Sequence, residues 1–114
     1  MRFLDINKPL CCDDMIQCIF NLNNLDLKVY HIIKEKKEQK ISNIAQILKK
    51  DRSTIQRSIK RLISCGLFKK KINKLSKGGY FYTYQLNEDK IIKQKIEKCI
   101  DKWYIKMKKL LKEY

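Results

Sequence analysis

Apolar residues along the chain recur with two periods, and the changes of period divide it. From Met15 to Leu62 they step by threes and fours, between Leu67 and Leu86 they approach alternation, and from Ile92 onward the helical step returns. Pro9 and the following "LCCDDMIQCIFNLN" predict a first helix. Asp13 and Asp14 suit the positive end of its dipole, and Met15, Ile16, Ile19 and Phe20 form its apolar stripe. "NNLDLKVYHIIKEKKEQ" predicts a second helix, capped by Asn24 or Asn23, with Leu25, Val29, Ile32 and Ile33 turned inward. The lone His31 falls within it as a residue at a packing seam. A very short strand is expected at 40–42. Ser42 is then expected to cap a third helix with Ile44, Ile47 and Leu48 inward, and Ala45 is small enough for another helix to approach.

Asp51 is expected to cap a fourth helix, "RSTIQRSIKRLISC", by accepting backbone N–H bonds two or three residues on. Gly66 ends that helix where a left-handed backbone is needed. "LFKKKIN" and "YFYTYQL" read as two strands, and Gly78 and Gly79 supply positive φ for the hairpin between them. Tyr80, Tyr82, Tyr84 and Leu86 share one strand face, read as core in preference to a base-stacking platform; Phe81, Thr83 and Gln85 share the other. The remainder is a single helix capped by Asn87, about 26 residues and roughly 39 Å long. Ile92, Ile96, Cys99, Trp103, Met107 and Leu110 make an apolar seam along its whole run, more than a core this small can use. The excess predicts a homodimer with this helix in the interface. The expected fold class is mostly α with a small β-hairpin, an α+β arrangement in one domain of 114 residues.

Charge changes the picture because it is unevenly placed. The formal net charge is +15. Residues 1–39 hold six basic and six acidic side chains, residues 40–80 hold twelve basic and one acidic, and residues 81–114 hold nine and five. Lysine enrichment by codon bias would spread evenly. A local excess of this size concentrates anions and steers association, and the abundant polyanions inside cells are nucleic acids.

Other chemistries find little support. One histidine, no glycine-rich phosphate loop and no paired-carboxylate spacing leave no catalytic constellation, so no enzyme activity is expected. Neither a metal nor a cofactor is expected. The five cysteines (Cys11, Cys12, Cys18, Cys65 and Cys99) form no C-x-x-C pair, and their odd number argues against a disulfide framework. They read as small apolar side chains, with a redox-sensing or metal-binding trio at Cys11, Cys12 and Cys18 as the alternative. No apolar run approaches the roughly 20 residues of a membrane span. The first residues, "MRFLDINKPLCCDD", carry acids where an export signal has an apolar stretch, so a cytoplasmic, nucleoid-associated protein is expected.

The third and fourth helices are separated by only two or three residues around Lys50 and Asp51, which forces a helix-turn-helix. On a wheel of about 100° per residue, Ile55, Ser58, Ile59 and Leu62 share the buried face of the fourth helix. Ser53, Arg57, Lys60 and Ser64 lie opposite, flanked by Thr54, Gln56 and Arg61. Arg57 can fork two donors onto guanine and Gln56 can pair with adenine, while Ser53 and Thr54 can bond bases or phosphates. Arg52, Lys60 and Arg61, with Lys69, Lys71, Lys74 and Lys77 of the hairpin, suit phosphates, contacts that fix register without reading sequence.

The stretch "ISNIAQILKKDRSTIQRSIKRLISCGLFKKK…GGYFYTYQL" resembles the winged helix-turn-helix of MarR-like and archaeal TrmB-like transcriptional regulators. The residues that carry the likeness are Asp51, Arg52, Ser53, Thr54, Ile55, Arg57, Leu62 and Gly66, with wing glycines at Gly78 and Gly79. The resemblance implies an N-terminal helix in 1–23, a winged core in 24–86 and a C-terminal dimerisation helix in 87–114. It also implies a homodimer on a pseudo-palindromic operator, with the helix at 52–65 in the major groove of double-stranded DNA and the wing at 69–80 on the backbone or minor groove. Larger TrmB-like proteins carry a C-terminal sugar-binding domain for which 114 residues leave no room, so no small-molecule effector is assigned. Two other readings stay open: an architectural, weakly specific chromatin-type binder, and a winged-helix module that binds an acidic protein.

Overall fold

A computed structural model describes residues 12–114, with side chains from Met15 onward, so the expectations for Pro9 and Cys11 lie outside the described residues, as do those for the side chains of Cys12, Asp13 and Asp14. The element order is α1 (Cys12–Ile19), α2 (Asn24–Lys36), α3 (Ile41–Leu48), α4 (Arg52–Ser64), β1 (Phe68–Lys74), β2 (Tyr80–Leu86) and α5 (Asp89–Glu113). Five helices and one antiparallel hairpin make up the expected mostly helical α+β class. The chain divides into two compact units: residues 22–87, and α1 with α5.

In the unit of residues 22–87, helix α2 begins in a capping box. The Asn23 side chain accepts from the Asp26 backbone N–H at 2.7 Å, and the Asp26 carboxylate accepts from the Asn23 N–H at 3.3 Å. Val29 and Ile33 of α2, Ile44 of α3, Ile55 and Leu62 of α4, and Leu67 are wholly buried and form the core with Phe68. The buried face of α4 is Ile55, Ser58, Ile59 and Leu62, the face its spacing predicts. At its end Gly66 takes φ 91°, which sends the chain back into β1.

Asp26 has a second function besides the cap. It is 2% exposed, and its carboxylate accepts from the Ser58 hydroxyl at 2.6 Å. The same carboxylate takes the Arg61 guanidinium through Nε at 3.2 Å and a terminal nitrogen at 2.8 Å. A buried carboxylate is tolerated only when paired and hydrogen-bonded, and here both requirements are met by one face of α4. The side chain therefore ties α4 to α2.

Four local expectations are corrected. The extended pairing falls not at 40–42 but at Gln39, which exchanges backbone hydrogen bonds with Tyr84 at 3.1 and 2.8 Å. Helix α3 begins at Ile41 because Ile41 and Ile44, one turn apart, both enter the core; Ser42 is thus inside the helix, and Lys40 is the cap residue without a side-chain cap bond. Ile47 faces solvent. Asn87 does not cap α5, whose cap is Glu88; its side chain donates instead to the Gly66 carbonyl at 3.1 Å, bracing the end of α4.

The hairpin pairs Phe68 with Leu86 through Lys74 with Tyr80, so Lys70, Ile72 and Lys74 share a face with Tyr84, Tyr82 and Tyr80. Only Tyr84 of the three tyrosines is buried. Tyr80 is 62% and Tyr82 37% exposed, and Ile72 is exposed beside them, because a two-stranded sheet has no further layer over its outer half.

In the other unit α1 packs on α5. Along the α5 seam Ile92 is buried, Ile96, Cys99 and Met107 are half-buried, and Trp103 and Leu110 are exposed.

Asp26→Ala removes the acceptor of Arg61 and Ser58 and one arm of the α2 cap. We expect a loss of about 2–4 kcal/mol, below the full cost of a broken buried pair because Arg61 can turn to water. Urea unfolding monitored by circular dichroism checks this, and an unchanged midpoint contradicts the role given to Asp26.

Candidate nucleic-acid interface

The turn between α3 and α4 is three residues long, and Lys49 makes it sharp by taking the left-handed conformation at φ 54° and ψ 45°. The Lys50 N–H returns to the Ala45 carbonyl at 3.0 Å, closing α3 before α4 starts. With α3 packed on α4, and α4 held to α2 by Asp26, the opposite face of α4 is left to solvent. Arg52, Ser53, Gln56, Arg57 and Lys60 are all exposed there, and Thr54 is half-buried.

Asp51 organises the start of this face, though not as expected. Its carboxylate makes no backbone cap bond; it accepts from the Ser53 hydroxyl at 2.5 Å and from the Thr54 hydroxyl. Two adjacent hydroxyls reach the carboxylate and supply the donors that the backbone was expected to give. These bonds, Ser53 first and Thr54 next, hold the Asp51 carboxyl below the ordinary carboxylate range. A terminal nitrogen of Arg57 stands 3.4 Å from the Thr54 hydroxyl oxygen. Ser53 and Thr54 thus direct their protons to Asp51 and offer a ligand their oxygen lone pairs, while Arg57 leans on a braced neighbour.

Arg61 was grouped with the phosphate contacts by its place on the wheel. Its Nε and one terminal nitrogen are on Asp26, and this hydrogen bond raises its pKa further. Arg61 belongs to the frame of the fold, since these donors are engaged by Asp26. No sequence signal marks it except a carboxylate, Asp26, on the apolar face of α2.

On the hairpin, Lys70, Lys71, Lys74 and Lys77 are exposed and Lys69 is half-buried. Gly78 and Gly79 turn its tip at φ 93° and 83°, and the Leu75 N–H closes the loop on the Gly79 carbonyl at 3.1 Å. Lys71 is partly neutralised by Glu38 at 3.6 Å. Glu38 also accepts from the Thr83 hydroxyl, which in turn accepts from the Asn73 amide at 2.8 Å. The Thr83 bond, ahead of the Lys71 charge, lowers the Glu38 pKa. Two further lysines sit on aromatic rings: Lys70 Nζ lies 4.1 Å from the centre of Tyr82, and Lys40 Nζ 4.3 Å from that of Phe81. Lys40 was not among the sequence candidates.

A helix-turn-helix followed directly by a two-stranded hairpin, with one further strand pairing at Gln39, is a winged helix-turn-helix. The chain belongs to the family described as the sugar-specific transcriptional regulator TrmB, whose model matches residues 16–86. An uncharacterized protein of Methanocaldococcus jannaschii is 36% identical over 101 residues, spanning 89% of this chain and 76% of that one. Among solved structures, a possible transcriptional regulator from Methanosarcina mazei aligns with a TM-score of 0.77 at 28% identity, covering 98% of this chain and 95% of its own. A protein from Sulfolobus tokodaii shares the fold, with a TM-score of 0.67 at 22% identity over 82% of this chain and 92% of its own. The protein is a DNA-binding transcription regulator of the winged-helix class.

The bonds at Glu38 give a pH-dependent expectation. Glu38 should titrate below an ordinary glutamate, so its contribution to stability is present above the unfolded pKa and lost as pH falls through the lower folded one. Carboxyl-carbon NMR titration reads this directly. Thr83→Val should move the Glu38 midpoint upward, and an unmoved midpoint would give Lys71 the larger share.

Proposed function

We propose that the protein binds a specific site on double-stranded DNA as a homodimer, with α4 in the major groove and the hairpin from 69 to 80 along the backbone or minor groove. The observation that carries this reading is the outer face of α4. It is exposed, the Asp51 carboxylate at its start is already bonded to Ser53 and Thr54, and it presents Gln56 and a braced Arg57 side by side. Arg57 and Gln56 have the donor and acceptor geometry to read purines, and Ser53 and Thr54 add acceptors. Arg52, Lys60, Lys69, Lys71, Lys74 and Lys77 hold phosphates. The reading assigns the chain no reaction and no cofactor, and places it in the cytoplasm with the nucleoid.

The homodimer is supported by α5. Trp103, Tyr104, Ile105, Leu110 and Leu111 are exposed over its last four turns, more apolar surface than one helix leaves to water in a stable monomer. Ile92, Ile96, Cys99, Trp103, Met107 and Leu110 form the interface in this reading. A two-fold pair of winged helices would read two half-sites about 34–36 Å apart, one turn of the duplex, or a multiple of it.

The net charge of +15 favours one competing reading, a weakly specific protein that coats DNA. Substitution separates the two. Arg57→Ala should cost about 1–3 kcal/mol on the specific site and relax its base preference. Lys74→Ala should weaken all sequences alike and flatten the salt dependence by about one unit. Anisotropy titrations on specific and random duplexes make the comparison, and identical behaviour of the two variants would favour the coating protein.

Light scattering at micromolar concentration should return the dimer mass, and Trp103→Asp should shift it toward the monomer. A wild-type monomer would exclude the α5 interface.

A further inference from the structure

A groove of about 330 Å³ lies between the start of α3, the first residue of α4 and strand β2. It is lined by Lys40, Ser42, Arg52, Tyr80, Phe81 and Tyr82, with Ile41 and Tyr84 at its base. Its two charges are both positive, and neither Lys40 nor Arg52 forms an ion pair among the described residues. The tyrosine exposures fall along the strand from 62% at Tyr80 through 37% at Tyr82 to 7% at Tyr84, so the aromatic stripe descends from open wing into the groove.

One face of Phe81 and one of Tyr82 are taken by ammonium groups. Lys40 covers Phe81, Lys70 covers Tyr82, and Tyr80 meets Tyr82 edge-on with ring centres 5.5 Å apart. A base stacking on either of those covered faces would have to displace an ammonium group. The arrangement instead restrains two flexible lysines, which reduces the side-chain entropy lost when each meets an anion. The ammonium on a ring still has N–H donors to give, Arg52 adds a planar fork and Ser42 a hydroxyl.

We propose that this groove seats a backbone phosphodiester of duplex DNA, held by Lys40, Arg52 and Ser42, with Phe81 positioning Lys40. The proposal rests on the DNA-binding reading above, which already gives Arg52 a phosphate, and adds Lys40 and Ser42 as partners that neither the outer face of α4 nor the wing lysines supply. Such a seat fixes the angle between recognition helix and duplex without reading sequence.

The test is the salt dependence of binding for the full chain, measured by anisotropy on its selected site and on a random duplex. Lys40→Ala should reduce the slope of log affinity against log salt by about 0.9, and Lys40→Ala with Arg52→Ala by about twice that. The ratio of specific to random affinity should stay unchanged. Phe81→Leu keeps the charge, so the slope should hold while affinity falls about threefold on both duplexes, and Phe81→Tyr should restore it. Circular dichroism melts check that the exposed Lys40 and Arg52 variants remain folded. Wild-type slope in the folded double variant would overturn the groove and the phosphate contact given to Arg52, and leave base reading by Gln56 and Arg57 standing. A wild-type protein that binds no duplex would overturn both. A nucleoside monophosphate that shifts the NMR signals of Ser42 in the wild type but not in the double variant, with slopes unchanged, would assign the groove to a free phosphate ester and overturn the proposal.

Discussion

The orientation of α4 depends on one buried carboxylate. Asp26 completes the capping box that starts α2, and the same oxygens accept Ser58 and Arg61 from α4. The apolar stripe of α4 selects which face is buried, but burial itself is non-directional and proportional to area. A carboxylate with fixed donors adds direction. Because Ser58 lies between Ile55, Ile59 and Leu62 on the buried face, satisfying Asp26 turns Arg57 and Gln56 outward. What the outer face of α4 presents to solvent is therefore set from behind.

Around that frame the positive charges divide by how they are held. Arg61 is paired with the buried Asp26 carboxylate, and Lys71 is partly neutralised by Glu38. Lys40 and Lys70 rest on aromatic rings, Arg57 leans on Thr54, and Lys74 and Lys77 stand at the wing tip. Net charge alone describes attraction at a distance, which salt screens within about 10 Å at 0.1 M ionic strength. Restrained cations add geometry to that attraction. This is the physical difference between a protein that coats DNA and one that docks on it at a fixed angle.

Much of this was legible in the sequence, for reasons that can be located. The helix periods placed α2, α4 and α5 to within a residue or two at most ends, because each carries an apolar stripe that only one rotation can bury. The buried face of α4 followed from the same spacing, and Gly66, Gly78 and Gly79 marked turns that need positive φ. The misreadings have a common origin in competition between local partners. Ser42 looked like a cap, but burial of Ile41 pulled the helix start forward. Asp51 looked like a backbone cap, but Ser53 and Thr54 stood nearer as donors. Tyr80 and Tyr82 alternate like core residues, yet the hairpin has no layer to bury them. Asp26 was visible in principle. An acid three residues before Val29 and seven before Ile33 shares their face, and a carboxylate there requires a cation from elsewhere in the chain.

The central claim, that α4 reads base sequence from a frame fixed at Asp26, is tested most directly by selection of bound sites from a random duplex pool. The account predicts enrichment of a two-fold pseudo-palindrome, with preferred purines in each half-site and half-sites one helical turn or a multiple apart. Uniform recovery of the pool with no enriched motif would contradict it.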